Sequence, residues 1–119
     1  MRLDAAYDDA LGVTAAFNRN ALLHVNRRFG FDFAVDGYVH RGFYNESEGR
    51  IEMHLESVRD QAVDLGKTRR RFAPGERIHT ENSYKYTPGE FERLLRDAGF
   101  AMVRRWESRD RGYYVFFAS

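Results

Sequence analysis

Arg77-Ile78-His79-Thr80-Glu81-Asn82-Ser83-Tyr84-Lys85-Tyr86-Thr87-Pro88-Gly89-Glu90 joins a strand dense in polar side chains to the start of a capped helix. Thr87, Pro88 and Glu90 fit the Ncap, N1 and N3 positions of a capping box. The threonine oxygen takes a helix amide, the glutamate reaches back to the threonine N–H, and proline fills a position that needs no donor. Downstream, Phe91, Leu94, Leu95 and Ala98 recur on one helical face, and Gly99 stands where a left-handed residue ends a helix. Strand ends beside helix starts are where α/β folds place ligands, so the polar groups of this stretch are the first candidates for a site.

Working outward, Phe100-Ala101-Met102-Val103 and Gly112-Tyr113-Tyr114-Val115-Phe116-Phe117 predict two strands about a polar turn at Ser108 to Arg111. Toward the N-terminus, Asp8 or Asp9 is placed to cap a long helix that runs to about Phe29 and stops at Gly30. Its apolar face is Leu11, Ala15, Leu22, Val25 and Phe29, with Asn18 in the gap. An amide buried there needs hydrogen-bond partners, and a neighbouring loop is the expected source. Tyr38–Tyr44, Arg50–Leu55, Gln61–Leu65 and Thr68–Phe72 suit short strands. Ile51, Met53 and Leu55 alternate with Glu52 and His54, which predicts an antiparallel meander with one covered face and one wet face. Pro74-Gly75 turns the chain into the Ile78 strand.

The pattern thus divides the sequence into a helix plus meander, residues 1–75, and an α/β tail, residues 76–119. The tail has too few elements to cover both faces of a sheet, and a terminal antiparallel hairpin needs a neighbour. The expectation is the C-terminal portion of a larger enzyme, or a natural remnant of one.

Composition sets the remaining bounds. The 119 residues are 43% hydrophobic and 31% charged, as in a soluble globular domain. No apolar run approaches the roughly 20 residues of a membrane span. Met1-Arg2-Leu3-Asp4 lacks the apolar region of a signal peptide, so a cytoplasmic location without membrane contact is expected. Cysteine is absent, which excludes disulfides and thiolate metal sites within these residues. Nineteen Lys and Arg against 18 Asp and Glu leave a formal charge of +1, too small for a global field that recruits nucleic acid. Arg69, Arg70 and Arg71 are consecutive, but neighbours on a strand point to opposite faces, so a solvated hairpin strand is expected rather than a basic patch. His24, His40, His54 and His79 have no partners at metal-ligand spacing, so no metal is expected. No glycine-rich strand-to-helix loop is present to hold a nucleotide-like cofactor.

Four segments in order carry a family likeness: Tyr7-Asp8-Asp9, Val13-Thr14-Ala15-Ala16-Phe17-Asn18-Arg19-Asn20, Arg50-Ile51-Glu52-Met53, and His79-Thr80-Glu81-Asn82-Ser83-Tyr84-Lys85-Tyr86. Together they resemble the histidine-specific, S-adenosylmethionine-dependent methyltransferases of ergothioneine biosynthesis, from about Tyr7 to Ser119. The resemblance implies an α+β fragment of an α/β class I methyltransferase: a substrate-domain insertion, then the closing strand, helix and two strands of a Rossmann-like sheet. It implies methylation of the α-amine of L-histidine by displacement on the donor's sulfonium. Glu81 and Ser83 would hydrogen-bond the substrate imidazole, Met53 would line the same pocket, Tyr7 would hold the carboxylate, and Thr14 would stand nearby.

The chemistry of the strand suits that assignment, since residues two apart share a face and a carboxylate with a hydroxyl reads both nitrogens of one ring. S-adenosylmethionine would be bound mainly by a part outside these residues, either a missing N-terminal Rossmann portion or a separate subunit. The chain alone is therefore expected to be inactive, and its catalytic and cofactor-binding residues stay unassigned. Two alternatives differ in kind: a non-catalytic remnant that binds an aromatic amino acid or a partner chain, and a methyltransferase for another small amine. Taken singly, Glu81 suits a strand carboxylate paired with Lys85 or an arginine, and Met53 suits core filling.

Overall fold

The computed structural model describes Asp9 and residues 12–119. Tyr7, Asp8 and Leu11, each given a part above, lie outside the described residues. Helix α1, Val13–Phe29, leads through a single 3-10 turn at Val35–Gly37 into strands β1 (Tyr38–Asn45), β2 (Arg50–Ser57), β3 (Gln61–Asp64), β4 (Arg69–Phe72) and β5 (Arg77–Tyr84). Helix α2, Pro88–Asp97, and strands β6 (Val103–Glu107) and β7 (Tyr114–Ala118) follow. Helices and antiparallel strands are thus the observed content, compatible with a fragment of a methyltransferase.

The chain forms two compact units, one ending at Tyr84 and one from Lys85 to Ser119. In the first, β1, β2 and β5 make a three-stranded antiparallel sheet with β2 in the centre, and β3 pairs with β4 in a separate hairpin. The sequence pattern groups β5 with the C-terminal elements, divided after residue 75; the structure instead lays β5 along β2. The cause is local. The Pro74-Gly75 turn folds back on the end of β2, where Gly75 N–H donates to the Ser57 carbonyl at 2.7 Å and Ser57 N–H to that of Glu76 at 2.8 Å. A turn that returns the chain onto its own sheet is a pairing device, not a boundary.

The core of this unit is Leu22, Tyr38, Leu55, Val63 and Phe72, with Phe33, Val35, Leu65 and Ile78 packed around it. Tyr38 meets the Phe72 ring edge-on at 5.8 Å. Helix α1 packs on β1 and β2. Its buried residues are Asn18 and Leu22, while Ala15 and Val25 are half-buried and Phe29 is 59% exposed. The expected five-residue apolar face is therefore shorter in fact: a 17-residue helix is about 25 Å long, and only its middle turns lie over the core. Phe29 stacks on Phe31 instead, at 5.5 Å. Gly30 ends the helix in the left-handed conformation, its N–H on the Asn26 carbonyl. Asn26 then clamps the following loop by a pair of 2.9 Å bonds to the backbone of Phe33. At the start of α1, Asp9 accepts from the amides of Val13 and Thr14. These bonds, Thr14's first, hold its carboxyl below the ordinary range.

Asn18 is buried and bonded to strands rather than to a loop: its Nδ2 lies 2.9 Å from His40 Nδ1 and donates to the His54 carbonyl at 3.2 Å. On β4, Arg71 makes two bonds to Asp60 and Arg70 pairs with Glu76 while covering the Phe72 ring at 4.1 Å.

The second unit is built on the capping box. Glu90 N–H donates to Thr87 Oγ1 and Thr87 N–H donates to the Glu90 carboxylate. Beyond α2, Gly99 has a left-handed φ of 101°. Phe91 meets Phe116 of β7 at 4.8 Å, but Leu94 is about half exposed, so the docked face is narrower than the four-residue stripe. The hairpin β6–β7 turns through Ser108, whose hydroxyl accepts from the amides of Gly112 and Tyr113.

Candidate functional site

Directly opposed residues of antiparallel strands share a face, so the register sorts the sheet into two surfaces. On the surface that meets α1, His40, Gly42 and Tyr44 of β1 stand opposite Leu55, Met53 and Ile51 of β2. These in turn stand opposite Ile78, Glu81 and Ser83 of β5. The structure therefore brings three of the expected site residues together: Met53 is 3% exposed and faces Glu81, with Ser83 one pair further along. Glu81 is exposed, and among the described residues no salt bridge engages it. Ser83 is half-buried beside the buried Ile51.

Thr14 is half-buried on α1, one helical turn before Asn18 and so on the same face of the helix. Asn18 reaches the His54 carbonyl, next in sequence to Met53, so the helix face that carries Thr14 covers this side of β2. Tyr7 lies outside the described residues and is not placed.

The opposite surface carries a polar cluster that the sequence pattern marks only as a wet face. Glu52 is buried there, which corrects that expectation. Its carboxylate accepts from Asn45 at 2.9 Å and from Arg50 at 3.2 Å, with His79 Nε2 at 3.4 Å. The Asn45 bond first, then Arg50, holds its carboxyl below the ordinary range. Phe43, His54 and His79 form a stack with centroid spacings of 5.3 and 4.3 Å. Burial, and next the neighbouring His79, lowers the His54 pKa below the ordinary imidazole value. Both of its ring nitrogens are buried without a hydrogen-bond partner among the described residues.

Glu52, His54 and His79 bring potential ligand atoms within 4.8 Å of one another, a proximity that chain spacing alone does not reveal because it is made across β2 and β5. The arrangement is poorly made for an ion. The two rings are within 21° of parallel, so a common ion would leave the plane of at least one lone pair, and Arg50 already sets a positive charge on the carboxylate.

Among the described residues the one strand-to-helix passage, Lys85-Tyr86-Thr87, has no glycine, and the helix start beyond it is closed by its own capping box with a carboxylate on the amides. What the first surface can do is narrower: present a carboxylate and a hydroxyl, two residues apart, beside a buried thioether.

A model of the histidine-specific, S-adenosylmethionine-dependent methyltransferases matches residues 1–119, and the chain belongs to that family. It is 44% identical over 110 residues to a histidine N-alpha-methyltransferase of Mycolicibacterium smegmatis, which covers 88% of this chain and 33% of that protein. A histidine N-alpha-methyltransferase of Mycobacterium tuberculosis is 43% identical over the same length. Ergothioneine biosynthesis protein 1 of Schizosaccharomyces pombe is 28% identical over 112 residues, which is 14% of its own length. The chain thus spans about a third of the bacterial relatives it matches. Among the described residues no helix is long and apolar enough to cross a membrane.

Proposed function

We propose that this chain is the substrate-reading, C-terminal portion of an enzyme that methylates the α-amine of L-histidine with S-adenosylmethionine. The observation that carries the reading is the placement of Glu81 and Ser83 on one sheet face with Met53 opposite Glu81. A neutral imidazole has one N–H donor and one lone-pair acceptor. The Glu81 carboxylate accepts from the ring N–H, and the Ser83 hydroxyl donates to the other nitrogen. Met53 gives the ring an apolar, polarizable wall. A ring that lacks either polar nitrogen would leave a group of the site unpaired, which is how such a site rejects apolar analogues. Thr14 borders the same surface, and Tyr7 holds the substrate carboxylate; the resemblance supports both roles.

The residues of this chain bind and orient histidine; they do not hold the methyl donor. That task falls to a Rossmann portion or a subunit beyond these residues; the unit from Lys85 to Ser119 supplies closing elements of its sheet, and the unit that ends at Tyr84, β5 included, is the substrate insertion. One feature of the hairpin supports this. Trp106, Val115 and Phe117 share the β6–β7 face opposite the one that carries Phe116, and each is about half exposed, as a strand face covered by a further layer would be in isolation. A cytoplasmic location for the complete enzyme is part of this proposal.

The test is methyl transfer by the native protein isolated from its source, offered histidine, tryptophan and histamine in turn. Preference for histidine over tryptophan by at least about a hundredfold is expected, because indole has no lone-pair nitrogen for Ser83, and preference over histamine tests the carboxylate contact of Tyr7. Equal rates for histamine would assign another amine, and no transfer to any of the three would favour the binding remnant.

A further inference from the structure

Strand β5 is irregular at the point where it passes from core to site. Ile78 packs with the core opposite Leu55, and Glu81 and Ser83 stand opposite Met53 and Ile51 on the same surface. Residues 78 and 81 are three apart, and a regular strand sends such positions to opposite faces. The register resolves the conflict. From Met53 to His54, β2 advances one residue while β5 goes from Glu81 to His79, so Thr80 is an extra residue without an opposite number. Without that bulge, a strand anchored by Ile78 would carry Glu81 and Ser83 to the surface occupied by Glu52 and His54.

Two side chains secure the irregularity. Thr80 Oγ1 donates to the Met53 carbonyl at 3.0 Å, and Asn18 Nδ2 donates to the His54 carbonyl at 3.2 Å. These are the two β2 carbonyls on either side of the register shift. Thr80 therefore ties the residue before Glu81 to the backbone of the residue opposite Glu81.

We propose that Thr80 is a positioning residue for substrate recognition: its hydroxyl locks the bulge that aims Glu81 and Ser83 at the ring-binding surface and fixes Met53 against them, with Asn18 holding the adjoining carbonyl from α1. The inference rests on the reading of Glu81 and Ser83 as imidazole partners. It adds that their aim is set by a residue that does not itself touch the ring.

The experiment uses the native protein with Thr80→Val, Thr80→Ala, Thr80→Ser and, as a control, Glu81→Ala. Thr80→Val keeps the β-branched shape and removes only the hydroxyl. Expected is a rise of about tenfold in the Michaelis constant for histidine, the scale of one lost hydrogen bond, with the constant for the methyl donor unmoved. Thr80→Ser should restore wild-type values. If Thr80→Val does not fold, Thr80→Ala and Thr80→Ser carry the comparison, since only the second retains the donor. A wild-type histidine constant in Thr80→Val, or equal behaviour of Ser and Ala, overturns the inference provided Glu81→Ala is impaired. If Glu81→Ala is as good as wild type, the ring-binding reading itself has failed, and the inference falls with it.

Discussion

On one surface of the β1–β2–β5 sheet, Glu81 stands exposed with no ion pair among the described residues, beside a buried Met53. On the other, Glu52 is buried among Asn45, Arg50 and His79, next to a stack of three rings. Both are glutamates on neighbouring strands, one pair apart in register. Their surroundings separate them: Glu52 already has donors for its oxygens, whereas Glu81 has kept its acceptor capacity for something else. A carboxylate held by its neighbours contributes to the fold, and one held open on a rigid strand is available to a ligand. Residue type is the same in both cases, but β2 is the central strand and β5 an edge, so both place in the sheet and the satisfaction of each group separate the two glutamates.

The contrast can be broken most severely through the core that both surfaces share. Leu55 is fully buried, and Leu55→Ala should cost about 2–5 kcal/mol in urea unfolding, the range for a core truncation. Loss of all histidine binding with it would follow from unfolding alone, so this variant calibrates the others. Glu52→Gln comes next. It removes the nearer and more buried of the two carboxylates that pair with Arg50, leaving Glu48 at 3.9 Å, and should lower the melting temperature while the histidine constant stays unchanged in the folded protein. A larger effect on histidine than on stability would mean that the second surface also meets substrate.

The imidazole of that surface sharpens the comparison by pH. Because the folded-state pKa of His54 is lowered, the unfolded chain binds a proton that the folded chain refuses. Stability should then fall as the pH drops from about 6.5 toward 5. His54→Gln should flatten that part of the profile; an unchanged slope would show that His54 titrates alike in both states. Smallest is Thr87→Ala, which removes the cap of α2 and should cost about 1 kcal/mol, confined to the unit from Lys85 onward.

Much of this was legible from local chemistry. The capping box at Thr87 and Glu90, the stops at Gly30 and Gly99, and the strands about Asn45–Gly49 each depend on residues near one another in sequence. The pairing of β5 with β2 does not, and no local pattern specifies it. The same holds for the environment of Glu52: alternation with Ile51 and Met53 marks which face it takes, but Asn45 and His79 reach it only through strand pairing. Glu81 and Ser83 share a face by their spacing, yet which face depends on the bulge at Thr80, and counting from Ile78 gives the wrong one. The stripe on α1 overestimates burial because periodicity locates a face without saying how far the core beneath it extends. The ring-binding role proposed for Glu81 and Ser83 rests on the ordered motifs, since no single residue among them is distinctive.

The most direct test of the central claim is calorimetric titration of the native protein with L-histidine and with L-phenylalanine, repeated on Glu81→Ala. Histidine should bind wild type at least about a hundredfold more tightly than phenylalanine, whose ring offers no partner to Glu81 or Ser83, and Glu81→Ala should erase most of that preference. Equal binding of the two amino acids by the wild type, or a preference that survives Glu81→Ala intact, would contradict the account.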